Sequence, residues 1–445
     1  MPVPRAHSGM FGTSGIRGPV GEDVTADLAL SVGRALGVDC ERVVVGRDPR
    51  ESGRLLSDAL TAGLRETGAD VVDLGPAATP TIARAVEWRD ADAGVAITAS
   101  HNPAPDNGIK LWQPSGQAFD EPLRERITER VEGAAWDLSA WDGLGERTTA
   151  TADERHVETL VDSVDIEAPP SVVVDIGNGA GGVAVEALQR LGCEVETLNA
   201  QPDGAFPGRP SEPTAENCDS LSTLVGESDA DLGIAHDGDA DRMRAAAGDG
   251  EFLSGDVLLA ILARAAAEPG DTVAAPVDTS LAVEDYLAES DIDVARTRVG
   301  DVYVAERVAA GAAFGGEPSG AWIWPEETLC PDGPLAAVKL VALAAERPLA
   351  ERVAEIDAYP IRRDSVEVED KAAVMDRVQA RVAEAYDDVT TIDGVRVELD
   401  GGWFLLRASG TQPLVRVTAE AREESRADEI RETATDLLTE AIEAS

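Results

Sequence analysis

The sequence predicts an α/β protein: three related α/β domains with mixed sheets plus a C-terminal α+β domain, arranged around a central cleft. Three observations predict this. A strand–helix–strand pattern occurs three times, each copy is followed by an apolar strand that runs into a polar loop, and the element order changes over roughly the last eighty residues. The length of 445 residues suits about three domains on the usual prior.

The first copy spans residues 42–75, RVVVGRDPRESGRLLSDALTAGLRETGADVVDLG. The second spans 171–199, SVVVDIGNGAGGVAVEALQRLGCEVETLN, and the third 272–300, TVAAPVDTSLAVEDYLAESDIDVARTRVG. In each, a short apolar strand turns through a polar loop into an amphipathic helix and returns as a second strand, the pattern of a right-handed βαβ unit. The strand after each copy is AGVAI, then DLGIA, then AAFG. They lead to Thr98-Ala99-Ser100-His101-Asn102-Pro103, to His236-Asp237-Gly238-Asp239-Ala240-Asp241-Arg242 and to Gly316-Glu317-Pro318-Ser319-Gly320. Ligands of α/β sheets sit beyond the carboxyl ends of strands, so each domain would present one chemical loop to a shared cleft. The last stretch reads strand, helix, three strands: SVEVE, KAAVMDRVQARVAEAY, VTTI, VRVEL and WFLLRA, then LVRVTAEA and a terminal helix. The expected domains are 1–150, 151–252, 253–362 and 363–445, with linkers near 165–170 and 352–363.

The charge balance is extreme, 84 acidic against 38 basic residues and a net charge of −46. Such a surface repels phosphate backbones, which argues against a nucleic-acid partner. The acids are scattered and form no tail, the pattern of a solvated, halophilic surface whose self-repulsion is screened by salt. Only three basic residues are lysines: Lys110, Lys339 and Lys371. No apolar run is long enough to cross a bilayer and no signal peptide is evident, so the expected setting is cytoplasmic with no membrane partner. Cys40, Cys193, Cys218 and Cys330 lie too far apart for a zinc motif or a disulfide framework and read as free thiols.

Several loops carry chemistry. Asp237, Asp239 and Asp241 put carboxylates at alternate positions, able to converge on one hard cation. An EF-hand fails here, with Arg242 where its glycine and Gly248 where its glutamate would stand. Ser100 follows a strand. Its hydroxyl is a weak nucleophile alone, but a serine that carries phosphate needs no activation and offers the cation an oxygen. Lys110, retained where nearly every lysine is gone, suits proton transfer if burial lowers its pKa. Arg407, Ser409, Gly410, Thr411 and Arg416 form a turn between strands whose amides, hydroxyls and guanidiniums could cradle phosphate. The Gly-rich segment around Arg17 is a weaker phosphate signal. Gly177-Asn178-Gly179-Ala180-Gly181-Gly182 fits a dinucleotide fingerprint, with Glu196 near the ribose position. Nothing else suggests hydride chemistry, and the motif reads as close helix–strand packing.

Five loops in this order, the Arg17 loop, TASHNP, DGDADR, GEPSG and RASGTQP, resemble the α-D-phosphohexomutase superfamily over the full chain, and are most similar to archaeal phosphoglucosamine and phosphomannose/phosphoglucose mutases. The resemblance implies a phosphohexomutase that interconverts a hexose 6-phosphate and 1-phosphate through phosphorylated Ser100 and a hexose 1,6-bisphosphate, which also serves as activator. It implies one Mg²⁺ held by Ser100, Asp237, Asp239 and Asp241. Arg242 would lie beside the transferring phosphate, and Arg17, His101 and Lys110 would line the reacting centre. Glu317 and Ser319 would hold sugar hydroxyls, while Arg407, Ser409, Gly410, Thr411 and Arg416 would clamp the other phosphate. The partner is then a small sugar phosphate, bound by a monomer or homodimer. Phosphoglucosamine is the favoured substrate, phosphomannose or phosphoglucose the alternative, and a metal-dependent sugar-phosphate phosphatase the rival activity. Two positions depart from the pattern: Gln412 replaces a glutamate, and Ala321 replaces a histidine often found after the sugar loop.

Overall fold

The computed structural model of the chain describes residues 10–12, 15–409 and 413–444. It contains four sheets, and the first three repeat one topology. In the first, Arg42–Arg47 pairs in parallel with Asp70–Pro76 on one side and Ala93–Ile97 on the other, and Asp106–Trp112 returns antiparallel to Ala93–Ile97. In the second, Ser171–Asp175 lies between Glu194–Leu198 and Leu232–His236, and Met243–Ala247 returns antiparallel. In the third, Thr272–Pro276 lies between Asp293–Thr297 and Phe314–Gly316, and Trp322–Ile323 returns. The first sheet adds Ile16–Pro19 and Arg147–Thr149 at its edges. The three expected βαβ units are therefore present. Each following strand forms a hairpin with its successor, and each chemical loop is the tip of that hairpin.

The sequence explains these elements. Ala93–Ile97 and Leu232–His236 are buried at every position, as central strands covered on both faces must be. Helix starts are set by capping side chains: Asp120, Ser254, Ser280 and Asp332 each accept an amide hydrogen bond from the first turn. Helices Ala26–Gly37 and Gly53–Glu66 cross closely because both contacts are glycine, and a Cβ on Gly33 would lie 2.2 Å from the Leu60 carbonyl. The second and third sheets share one apolar core, reached by helices Gly255–Ala266 and Gly333–Glu346.

The fourth sheet is antiparallel, in the order Ile361–Glu367, Leu414–Ala421, Gly402–Ala408, Val395–Leu399 and Val389–Thr390. Helices Lys371–Ala385 and Glu424–Glu443 cover it. The segment expected as a linker at 352–363 is shorter than that: helix Leu349–Val353 ends within it and a strand begins at Ile361. This sheet docks on the third through Val277, Leu281, Trp403 and Leu405. Buried Glu420 accepts hydrogen bonds from Leu281 N (2.8 Å), Trp403 Nε1 (2.7 Å) and the Ser280 hydroxyl. All four cysteines are free. Among the described residues no helix is long and apolar enough to cross a membrane.

Candidate active site

The hairpin tips of the first two sheets meet. Ser100 is buried, and its hydroxyl donates to Asp237 Oδ2 at 2.6 Å, with Asp241 Oδ1 at 3.4 Å and His101 Nδ1 at 3.3 Å. Its φ of 53° is left-handed, a conformation that costs a non-glycine residue about 1–2 kcal/mol and must be held by its surroundings. Arg50 does much of the holding. This buried guanidinium donates to the carbonyls of Ser100 (2.8 Å), Asn102 (2.6 Å), Pro103 (2.7 Å) and Asp106 (2.9 Å), and pairs with Asp48 at 2.9 Å. Asp48 in turn accepts the Thr98 hydroxyl, which accepts the Ser100 amide. Ser211 completes the frame: its hydroxyl donates to the Ser100 carbonyl at 2.8 Å and accepts the Gly238 amide at 3.0 Å, joining the serine loop to the aspartate loop.

Asp237, Asp239 and Asp241 are all buried, and one oxygen from each lies within 4.8 Å of the others. Burial, and then the neighbouring carboxylates, raise Asp237 well above the usual range. Asp239 Oδ1 is buried without a hydrogen-bond partner. A hard divalent cation takes oxygen ligands, and this donor set, with its orphaned carboxylate oxygen, fits one. Asp239 Oδ2 accepts from the Thr79 hydroxyl at 2.6 Å and from Lys110 Nζ at 2.8 Å, and Lys110 also pairs with Asp241.

The expectation that burial would depress Lys110 is reversed. Burial alone would lower its pKa, but Asp239 and Asp241 outweigh it and raise it. His101 moves the other way, pushed down to about 2 by burial and then by Arg242, Arg17 and Lys110.

The Gly-rich 177–182 segment supports this centre rather than a dinucleotide. A Cβ on Gly179 would lie 2.7 Å from the Gly238 carbonyl, and one on Gly181 would lie 2.9 Å from the His236 ring. The Ala180 amide donates to the Gly238 carbonyl at 3.0 Å. Glu196 is exposed on an edge strand.

A cleft of about 550 Å³ opens from this centre. Arg17, His101, Asp241, Arg242, Glu317, Ser319, Arg407 and Arg416 all line it, so all four sheets contribute. The Gly316–Gly320 loop is knitted to the aspartate loop, with the Met243 amide donating to the Gly320 carbonyl at 2.9 Å and Arg242 bridging Ala321. Ala321 lines the cleft. Glu317 accepts the Gly300 amide at 2.7 Å and the Ser319 hydroxyl at 3.2 Å. Burial, and then Asp301, push its carboxyl up to about 7.

Arg407 and Arg416 stand directly opposite each other on adjacent antiparallel strands. Like charges in that position repel, and a bound anion removes the penalty. Arg363 lines the same cleft. Ser409 is buried just after the strand that carries Arg407, its carbonyl bonded by Lys371. Gly410, Thr411 and Gln412 lie outside the described residues. The structure thus brings the described site residues expected from sequence, Ser409 excepted, to one cleft or into contact with residues that line it. It adds Asp48, Arg50, Thr79, Ser211 and Arg363. Charged Asp48 and Arg50 in GRDPR, directly after an apolar strand, were the one available signal.

Comparison with known proteins agrees along the whole chain. The signatures described as phosphoglucomutase/phosphomannomutase alpha/beta/alpha domains I, II and III match residues 8–137, 154–250 and 254–359, and the C-terminal domain matches 365–437. A protein of Methanopyrus kandleri named "Probable phosphoglucosamine mutase" is 47% identical over 446 residues, covering 97% of this chain and 98% of its own. One of the same name from Methanosarcina acetivorans is 47% identical over 441 residues, covering 97% and 99%. A phosphoglucomutase/phosphomannomutase family protein of Burkholderia thailandensis has a similar structure, with TM-score 0.87, 28% identity and 97% of each chain covered. The fold is shared by an N-acetylphosphoglucosamine mutase of Aspergillus fumigatus, crystallised with GlcNAc-6P and magnesium, at TM-score 0.62 and 17% identity over 97% of this chain and 96% of that one. Four sheets around one cleft, a buried serine against three aspartates, and relatives spanning the entire chain lead to one conclusion: this protein belongs to the phosphoglucomutase/phosphomannomutase family, the α-D-phosphohexomutases.

Proposed function

We propose that this phosphohexomutase interconverts glucosamine 6-phosphate and glucosamine 1-phosphate, with Ser100 carrying the transferred phosphate. The observation that supports it is the shared cleft: Arg407 and Arg416, directly opposed on adjacent strands, line the same cleft as His101 and Asp241, whose side chains lie 3.3 and 3.4 Å from the Ser100 hydroxyl. The clamp holds the phosphate already on the sugar while a free hydroxyl faces Ser100. The bond from Ser100 Oγ to phosphorus breaks, a bond from the sugar oxygen to phosphorus forms, and the bisphosphate turns end for end. Its other phosphate then returns to Ser100. A cleft that holds both ends of one molecule suits this reversal.

Asp237, Asp239, Asp241 and the phosphoserine would hold Mg²⁺, which supplies Lewis-acid charge neutralisation at the phosphoryl oxygens. Lys110 and Arg242 add fixed positive charge on the same side, and positioning with charge neutralisation is most of what phosphoryl transfer requires. His101, a neutral imidazole with Nδ1 3.3 Å from the serine hydroxyl, is the candidate to take the sugar hydroxyl's proton, with Lys110 the alternative. Glu317 and Ser319 orient the ring, and Gly410 and Thr411 join the clamp. A hexose 1,6-bisphosphate serves as activator by phosphorylating Ser100. The domain division at 150, 252 and 362 leaves one chemical loop in each unit, and the acidic surface fits a high-salt setting.

Incubation with glucosamine 6-phosphate, Mg²⁺ and trace bisphosphate in high salt tests the reading. The expected product is glucosamine 1-phosphate without inorganic phosphate. Ser100→Ala should retain sugar-phosphate binding and lose most turnover. Full activity in that variant, or phosphate release as the main reaction, would overturn the proposal.

A further inference from the structure

Asp239 is held differently from the other two aspartates. Asp237 accepts from the Arg242 amide on one oxygen and from the Ser100 hydroxyl on the other, and Asp241 likewise meets Ser100 on one oxygen and Lys110 on the other. Asp239 takes both of its side-chain hydrogen bonds on Oδ2, from the Thr79 hydroxyl at 2.6 Å and from Lys110 Nζ at 2.8 Å. Its Oδ1 is buried and accepts none among the described residues. The last torsion of an aspartate is soft and roughly two-fold, so what grips one oxygen decides where the other points. The two donors on Oδ2 are not equivalent. Lys110 is a cation and repels a second cation brought to the same carboxylates. Thr79 is neutral and fixes the carboxylate without that repulsion. It also grips the main chain, its amide donating to the Asp239 carbonyl at 2.9 Å.

Thr79 can do this because it is itself immobile. It opens helix Thr79–Trp88, which is buried from Thr79 through Val86. Further along, the Thr81 hydroxyl meets His156 Nδ1 at 2.7 Å, and Arg84 Nε donates to Asp332 Oδ2 at 2.8 Å. The residue after Asp332 is Gly333, where a Cβ would lie 2.5 Å from the Arg242 carbonyl and 2.7 Å from that of Ala240. The helix and the aspartate loop thus rest on one segment, the helix through Arg84 and the loop through Gly333. Thr79 closes the ring between them.

We infer that Thr79 is a positioning residue for the reaction: by holding Oδ2 and the main chain of Asp239, it keeps Oδ1 turned to the divalent cation. This rests on the reading above that the three aspartates hold such a cation. A donor bonded behind a metal ligand commonly carries about 10- to 100-fold of metal affinity, because it saves the ligand from being oriented at the moment of binding.

The test is titration of the full-length protein with Mn²⁺, a hard cation visible by electron paramagnetic resonance, in high KCl that screens the acidic surface. Wild type, Thr79→Val, Thr79→Ser and Asp239→Asn are compared, matched in serine phosphorylation by intact mass, with Asp239→Asn defining the Mn²⁺ held elsewhere on the surface. Thr79→Val, which keeps the shape and removes the hydroxyl, should raise the Mn²⁺ Kd about tenfold. Thr79→Ser, which restores the hydroxyl, should return it to within about threefold of wild type. Calorimetric binding of glucosamine 6-phosphate in EDTA should stay within about twofold in both variants, which a merely misfolded protein would not show. A Thr79→Val Kd within twofold of wild type, a Thr79→Ser variant no better than Thr79→Val, or an equal loss of sugar-phosphate binding overturns the inference. A wild type that binds no more Mn²⁺ than Asp239→Asn sinks the metal reading together with it, whereas a binding wild type with an unaffected Thr79→Val sinks this inference alone.

Discussion

Replacing Ser211 by alanine is the sharpest perturbation of the site's architecture, because one hydroxyl joins the serine loop to the aspartate loop. Oγ donates to the Ser100 carbonyl at 2.8 Å and accepts the Gly238 amide at 3.0 Å, out of contact with solvent. Loss of the two hydrogen bonds costs about 1 kcal/mol each, and leaving the Gly238 amide unpaired in the interior adds about 1–2 kcal/mol. The Ser100 carbonyl keeps Arg50, so its share stays at the low end. The sum is about 3 kcal/mol. If half of it falls on the alignment of Ser100 with Asp237 in the transition state, kcat drops about tenfold, and if all of it does, about a hundredfold. Arg407, Arg416, Glu317 and Ser319 are untouched, so KM should hold. Initial rates against sugar phosphate at saturating Mg²⁺, with thermal melting alongside, separate the outcomes, and Ser211→Thr should recover most of the rate. A Ser211→Ala enzyme with kcat within twofold of wild type, or a loss confined to KM, would refute the reasoning.

Other expectations follow from the same geometry. Glu317 has its folded pKa raised from 4.5 to about 7, so its contribution to stability is fully present below pH 4.5 and is lost as pH rises to about 7. Glu317→Gln should therefore unfold less readily than wild type at pH 8, by up to roughly 3 kcal/mol, with the gap closing toward pH 5 while turnover falls; denaturant curves at both pH values check this. Asp239→Asn should lower the rate and the apparent Mg²⁺ affinity together, and an unchanged metal titration would remove Asp239 from the ligand set. A Cβ on Gly255 would lie 1.8 Å from the Pro318 carbonyl, so Gly255→Ala should displace the sugar loop, raising KM and costing about 1–3 kcal/mol of stability. The net charge of −46 should make the melting temperature climb as KCl rises from about 0.1 M to about 3 M, whereas an uncharged osmolyte of equal osmolality should do much less.

The repeated architecture was legible because it is written in local patterns. Buried parallel strands must be apolar, amphipathic helices must follow, and a hairpin tip at a strand's carboxyl end is where polar residues survive; TASHNP, DGDADR and GEPSG each sit in that setting. The antiparallel return of Asp106–Trp112 made Lys110 easy to find by its rarity but not to interpret. Its charge state depends on Asp239 and Asp241, more than a hundred residues away and on another sheet. Arg363 was missed for a related reason: one arginine in an exposed-looking strand has no local mark, and only sheet pairing and domain docking bring it to Arg407 and Arg416.

The sequence by itself determined the repeated fold and the order of the loops, and singled out Ser100 and the three aspartates as candidates, since each rests on residues near one another in the chain. Tertiary structure alone decided that Ser100 meets Asp237, that Lys110 pairs with Asp239 and Asp241, and that Arg50 and Ser211 hold the serine in a left-handed conformation. Those are Coulomb and hydrogen-bond relations at a few ångströms between segments far apart in sequence. Such energies depend on distance and burial in space, which no spacing along the chain encodes.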